Sequence, residues 1–338
     1  MPSAGFGRWF DPRQPFLVPL LVLFATRAWM MHAIPTANED AYITFRYAAN
    51  WAAGLGPVFN AGERVLGFTS PLWTALLALG IRFGADPVVF SRALALAGDV
   101  LVLCAVGALL SRHVSRTAAW LFTGFWAAYP FFSAITASGL ETGFVVALLA
   151  LAAWGIDRGY AFAGVTLGLL ALSRPEGLVM ALVLGIWARG RDRITGGAIA
   201  LAGIAGLALA FGNPLPQSML AKASLYGTPG PWAGRHWWEW LVPVVLSSDA
   251  ASSEGGNLRL LSVVLFAGFV AGVPELWRQR RHALAGAALA LLTVWAGYAA
   301  LGVAYFYWYL VLPLAGCAIV SAAGIARAVA TIGLSAVF

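Results

Sequence analysis

The sequence predicts an all-α integral membrane protein of about ten transmembrane helices, a single domain over 1–338 whose first extracytoplasmic loop, 35–86, carries amphipathic helices. Three observations predict it. Hydrophobic residues make up 61% of the chain and charged residues 10%, with a mean hydropathy of +0.81, more than a water-facing surface tolerates. Apolar runs of the length that crosses a ~30 Å hydrocarbon layer, about 20 helical residues, recur along the chain. Arginines fall in short clusters between those runs, as orientation signals do. The net charge of +7 is therefore a matter of topology, and no nucleic-acid partner is expected. Cys104 and Cys317 both lie inside apolar runs, which indicates packing residues rather than a disulfide framework or a metal cluster.

In chain order, the run 16–34 follows Arg8 and Arg13 like a signal sequence, but Arg27 interrupts it, so an uncleaved anchor is expected. Next comes "PTANEDAYITFRYA", 35–48, which puts Asn38, Glu39, Asp40 and Arg46 within nine positions and opens a helix expected at 41–53. Segment 69–83, "TSPLWTALLALGIRF", is short for a crossing; as an interfacial helix it keeps all later basic loops on one side. Spans follow near 87–110, 117–137, 140–156, 194–211, 259–277, 283–303 and 308–330. Between 156 and 194, two short arms, 160–173 and 177–189, flank "SRPEG". Each rises only about 20 Å at 1.5 Å per residue, so they form a hairpin whose turn sits just below the outer surface, where charge must be paired or wet.

With this count, Arg112/Arg116, Arg158, Arg189/Arg191/Arg193 and Arg278/Arg280/Arg281 share the side of Arg8 and Arg13, and the positive-inside rule is satisfied throughout. Both termini are then cytoplasmic, in a plasma (inner) membrane. The outer face holds 35–86, the "TASGLE" turn, "SRPEG", a long loop at 212–258 and the aromatic "AYFYWY".

The blocks "EDAYITFRYAANWAAGLGPVFNAGERVLGFTSPLW", "ASGLETGF", "LSRPEGL", "GNPLPQSMLAKASLYG" and "YWYLVLPL" occur in this order. The chain resembles, from about 35 to 313, the polyprenyl-phosphate-sugar glycosyltransferases of the GT-C fold, and most closely the terminal arabinofuranosyltransferase B group of the mycobacterial type. The chain as given ends after its last span, without the large carboxy-terminal domain of longer family members. It carries Glu39–Asp40 where the family often has an Asp pair.

The resemblance implies inverting transfer of a sugar, arabinofuranose or another, from a lipid-linked sugar donor to an envelope glycan acceptor or a lipid acceptor on the outer face. The chemistry asks for parts that the sequence supplies. A sugar hydroxyl needs a carboxylate to take its proton, an effect of ~10²–10⁴-fold; Asp40 is the expected base, with Glu39 beside it to orient the acceptor. The phosphate leaving group calls for cations where charge develops, and Arg46, Arg174 and Lys222 are the outward candidates. Lys222 is the single lysine among 21 Lys and Arg residues, a hint that a compact ammonium is needed. Glu141, Glu176, Tyr226, Trp308 and Tyr309 in the remaining blocks are expected to contact substrate.

Several of these residues also have a plainer role open to them, Lys222 that of a chance or solvated loop cation. Asn38 or Asp40 serves as a helix cap, though two adjacent acids exceed what a cap requires. Arg174 and Glu176 suit a mutual ion pair at a helix start. Arg46 could snorkel from a helix whose Phe45, Ala48, Ala49 and Ala52 face lipid. Trp232, Trp237, Trp238 and Trp240 suit either sugar faces or an interfacial aromatic belt. An adjacent Glu–Asp pair could hold a divalent cation through oxygen ligands; no third ligand is evident, and no metal is assigned. A membrane transporter, or a lipid-linked-sugar-binding protein without transferase activity, is the alternative. A transporter, however, typically shows internal repeats with matched interrupted segments near the midplane, and none is visible.

Overall fold

The computed structural model describes residues 16–225, 256–304 and 306–333. These residues form helices: α1 Leu17–Ala33, α2 Glu39–Ala52, α3 Pro71–Arg82, α4 Pro87–His113, α5 Arg116–Ala128, α6 Pro130–Ala137, α7 Thr142–Arg158, α8 Ala163–Ala171, α9 Pro175–Gly185, α10 Gly190–Phe211, α11 Gln217–Leu225, α12 Gly256–Arg278, α13 Ala283–Leu301 and α14 Val311–Thr331, the last entered through a 3₁₀ turn, Tyr307–Leu310.

Four of the described helical stretches, α4, α10, α13 and Tyr307–Thr331, are long and apolar enough to cross a membrane, and α5 with α6 makes a fifth if that bent pair is one span. Apolar side chains are exposed on α10, with Leu209 at 86% and Leu201 at 70%, the arrangement expected where the solvent is hydrocarbon. The core lies on α4, α5, α7, α13 and α14, and α14 is buried almost throughout. The short arms of the expected hairpin are α8 and α9, of 9 and 11 residues.

The run 117–137 is broken where a single helix was expected. Pro130 supplies no N–H to the Trp126 carbonyl one turn earlier, and α5 and α6 meet at 53°. Arg27 of α1 fills the gap: it donates to Trp126 O at 3.0 Å and Ala127 O at 2.7 Å, to Ser133 Oγ at 3.0 Å, and to Asp99 Oδ2 of α4 at 2.9 Å. Arg27 and Asp99 are 0% and 2% exposed. A charge buried this deeply persists only when paired and hydrogen-bonded, so the arginine that interrupts the first apolar run stitches α1 to α4, α5 and α6.

Contacts sort the loops into two ends of the bundle. At one end Asn38 N donates to Ser138 O, Leu72 N to Leu172 O, and Gln217 N to Leu66 O. At the other, Arg189 and Arg191 reach Gly159 O, Trp187 Nε1 donates to Arg280 O at 2.7 Å, and Arg278 and Arg327 both meet Glu275. The basic loops thus gather at the end away from Asp40.

Candidate active site

Helix α2 begins at Glu39, two residues earlier than expected, and Asn38 is its cap. Asn38 Oδ1 accepts from Asp40 N at 2.9 Å, while Asn38 Nδ2 donates to the Tyr307 hydroxyl at 2.8 Å. The cap is thus filled by the asparagine, and among the described residues the half-buried Asp40 carboxylate makes no hydrogen bond or ion pair. Glu39 beside it is exposed. Arg92 of α4 fixes the approach to this turn by donating to Ile34 O, Thr36 O and Ala137 O.

The face of α2 expected toward lipid is partly turned inward: Phe45 and Ala48 are buried, at 4% and 0% exposure. The amphipathic pattern was legible, but its apolar stripe meets the core. Arg46 lies on the exposed face and donates to Phe59 O at 3.2 Å, away from the Asn38–Tyr307 contact. Asn50 donates to Val58 O and Phe59 O, and Tyr47 to Val65 O. These bonds fold the loop 53–68 back over α2. That loop in turn holds the start of α11 through Leu66 O and Gln217 N, at 2.8 Å.

Helix α11 carries Lys222, whose ammonium lies 4.8 Å from the Phe306 ring centroid and feels the charges of Asp40, Glu141, Glu176 and Arg174. It has no ion-pair partner within 4 Å among the described residues. Burial pushes its pKa down, and the nearby Asp40 carboxylate opposes that shift.

Arg174, the residue before α9, has two acidic partners. Its Nε and Nη2 form a two-pronged pair with Glu176 at 3.1 Å each, and Nη1 donates to Glu141. Tyr298 of α13 donates to Glu176 Oε1 at 2.7 Å, and the Tyr309 ring lies 5.6 Å below the guanidinium. Two glycines permit this. A Cβ on Gly177 would stand 2.1 Å from Leu170 O, and Gly139, at φ +77°, turns the chain where a Cβ would press on Phe45 and Ala37.

The structure thus joins Asn38, Asp40, Lys222, Glu141, Arg174, Glu176 and Tyr309 around the 3₁₀ turn. Trp308 is buried there and stacks on Phe306 at 4.8 Å. Arg46 does not join them. Tyr226, like Trp232, Trp237, Trp238 and Trp240, lies outside the described residues. Sequence reasoning missed Tyr298, Tyr307 and Arg92. Tyr298 sits within an apolar run that only placed it as membrane-associated, Tyr307 stood in the outer-facing aromatic block without a role of its own, and Arg92 read as one more arginine. Glu39 and Asp40 gather no third carboxylate or imidazole within metal-holding distance among the described residues.

Fold and site define an all-helical protein of membrane-capable helices with a polar, aromatic-walled cluster of charges at one end. Over 142 residues the chain is 36% identical to the terminal β-(1→2)-arabinofuranosyltransferase of Mycobacterium tuberculosis, a match covering 39% of this chain and 22% of that protein. It is therefore related to an arabinofuranosyltransferase and spans about a fifth of that relative's length. No family model and no solved structure matches.

Proposed function

We propose that the chain is an inverting glycosyltransferase of the GT-C type, with about ten spans, that moves a sugar, arabinofuranose first among the candidates, from a polyprenyl-phosphate donor to an envelope glycan or lipid acceptor at the extracytoplasmic face of the plasma membrane. One observation carries it: an Asp40 carboxylate that is uncommitted among the described residues, on a turn fixed by Asn38, Tyr307 and Arg92 and within electrostatic reach of a Lys222 ammonium that is unpaired among them. Asp40 accepts the acceptor hydroxyl's proton as that oxygen bonds to C1 of the sugar. The C1–phosphate bond breaks on the opposite face, and Lys222 stabilises the charge that develops on the departing phosphate. Arg174 already faces two carboxylates, so its part is to hold Glu141 and Glu176 against the sugar, with Tyr309 and Trp308 as apolar walls. Glu39, at the exposed edge, orients the acceptor. The basic loops gathered at the far end support an outward-facing site.

The test is incubation of detergent-purified protein with a panel of polyprenyl-phosphate sugars and an acceptor glycan, following release of polyprenyl phosphate. Turnover with one of them that vanishes in Asp40→Asn is the expected result. Binding of the lipid-linked sugar without any bond cleavage, under conditions where the protein stays folded, would make it a binding or transport protein instead.

A further inference from the structure

A second cluster lies at the basic end, away from Asp40, and has no part in the chemistry above. His113 is the last residue of α4, Asp157 is the penultimate residue of α7, and His282 immediately precedes α13. Three helices thus deliver two imidazoles and a carboxylate to one point, where their ligand atoms all lie within 4.8 Å of one another. His113 Nε2 is 2.6 Å from Asp157 Oδ1, and the two imidazole rings are stacked with centroids 4.0 Å apart and planes at 26°.

One feature is costly if nothing else binds there. The Asp157 side chain is 6% exposed, and its Oδ2 is buried without a hydrogen bond among the described residues, a state that normally calls for a partner. That oxygen has only a loose ion pair among the described residues, with Arg112 Nε at 3.6 Å on a side chain that is 49% exposed. A neutral imidazole keeps a lone pair on one ring nitrogen, the atom that binds a metal ion.

We infer that His113, Asp157 and His282 form a binding site for one divalent transition-metal ion of borderline softness, Zn²⁺ fitting best. Two imidazole nitrogens with one carboxylate match zinc chemistry, whereas Ca²⁺ and Mg²⁺ favour all-oxygen shells. Tetrahedral zinc with bonds of about 2.1 Å holds its ligand atoms roughly 3.4 Å apart, closer than the 4.8 Å within which these atoms lie, so the stacked rings turn on binding to aim their nitrogens at one point. Binding displaces the proton between His113 and Asp157 and moves Arg112 outward, which its half-exposed side chain allows. The fourth position stays open to water. The ion ties the ends of α4, α7 and α13 together.

The test uses tag-free full-length protein, stripped with chelator and titrated with Co²⁺ and then Zn²⁺, following the visible absorption of tetrahedral Co²⁺ and the thermal midpoint. The expected result is one Co²⁺ per chain, displaced by Zn²⁺, with a midpoint raised by either metal as ligand binding to the folded state requires. His282→Ala and His113→Gln should each weaken binding by at least the ~10–100-fold that loss of even an outer partner costs. Arg112→Gln should strengthen it by removing a competing cation, and serves as a gain-of-binding variant independent of any folding defect. Asp40→Asn should leave it unchanged. Absence of saturable uptake by the parent protein overturns the proposal, as does uptake that both histidine variants retain or that Asp40→Asn abolishes.

Discussion

Asn38 and Asp40 divide two jobs that the sequence left to either residue. Because Asn38 fills the cap, Asp40→Asn should leave the thermal midpoint unchanged while turnover falls by ~10²-fold or more; parent-rate turnover in folded protein would remove Asp40 as the base. Asn38→Ala should instead cost about 1 kcal/mol of stability through the lost cap, measurable by denaturation, and release Tyr307. Lys222 adds a pH signature. Burial lowers its pKa, so its ammonium is lost as pH rises through a value below that of an ordinary lysine. Donor KM should therefore begin to climb at a correspondingly lower alkaline pH, and Lys222→Arg, always charged, should abolish that limb even where it raises KM overall. Arg174→Gln leaves Glu141 and Glu176 buried without their cation, so a loss on the order of 3–5 kcal/mol of stability is expected, read by thermal or chemical denaturation.

Helix α2, the loop folded on it and α11 act as one unit. The chain of contacts runs from Asn50 and Tyr47 to the loop carbonyls, from Leu66 O to Gln217 N, from Lys222 to the Phe306 ring, and from Tyr307 back to Asn38. Asn50→Ala removes two of these hydrogen bonds, and hydrogen exchange should show faster amide exchange in 56–66 with the global midpoint little changed; unaltered exchange there would mean that the loop is held by other contacts. The elements themselves were largely legible: α4, α7, α10, α12, α13 and α14 fall on the apolar runs, and the short hairpin follows from two arms too brief to cross. The break at Pro130 was missed because the apolar composition continues through it, and only the carbonyls left open, met by an arginine about 100 residues away in sequence, make the bend stable. Residue types in the site were legible for the same reason that its geometry was not. Unusual polar residues stand out against an apolar background, but the Tyr298–Glu176 bond joins positions 122 apart, and no periodicity encodes that.

Every arginine-rich loop among the described residues is tied by contacts to the end opposite Asp40, and this bears on where the substrate can come from. A lipid-linked sugar presented outside requires that end to face the cytoplasm, since clustered arginines stay on the cytoplasmic side when short loops are inserted. Gly190 and Ala61 are both exposed and lie at opposite ends, which makes them better reporters than Ser115, whose side chain caps α5 by accepting from Ala118 N at 3.1 Å. In a chain lacking the half-buried Cys104, with Cys317 fully buried, a cysteine at position 61 should react with an impermeant thiol reagent in intact cells. One at position 190 should react only after permeabilisation. The reverse pattern would turn Asp40 and Lys222 toward the cytoplasm, where sugars are presented on nucleotides. The polyprenyl-phosphate donor would then fall, and with it the proposed reading of Asp40 and Lys222 as an outward-facing transfer site.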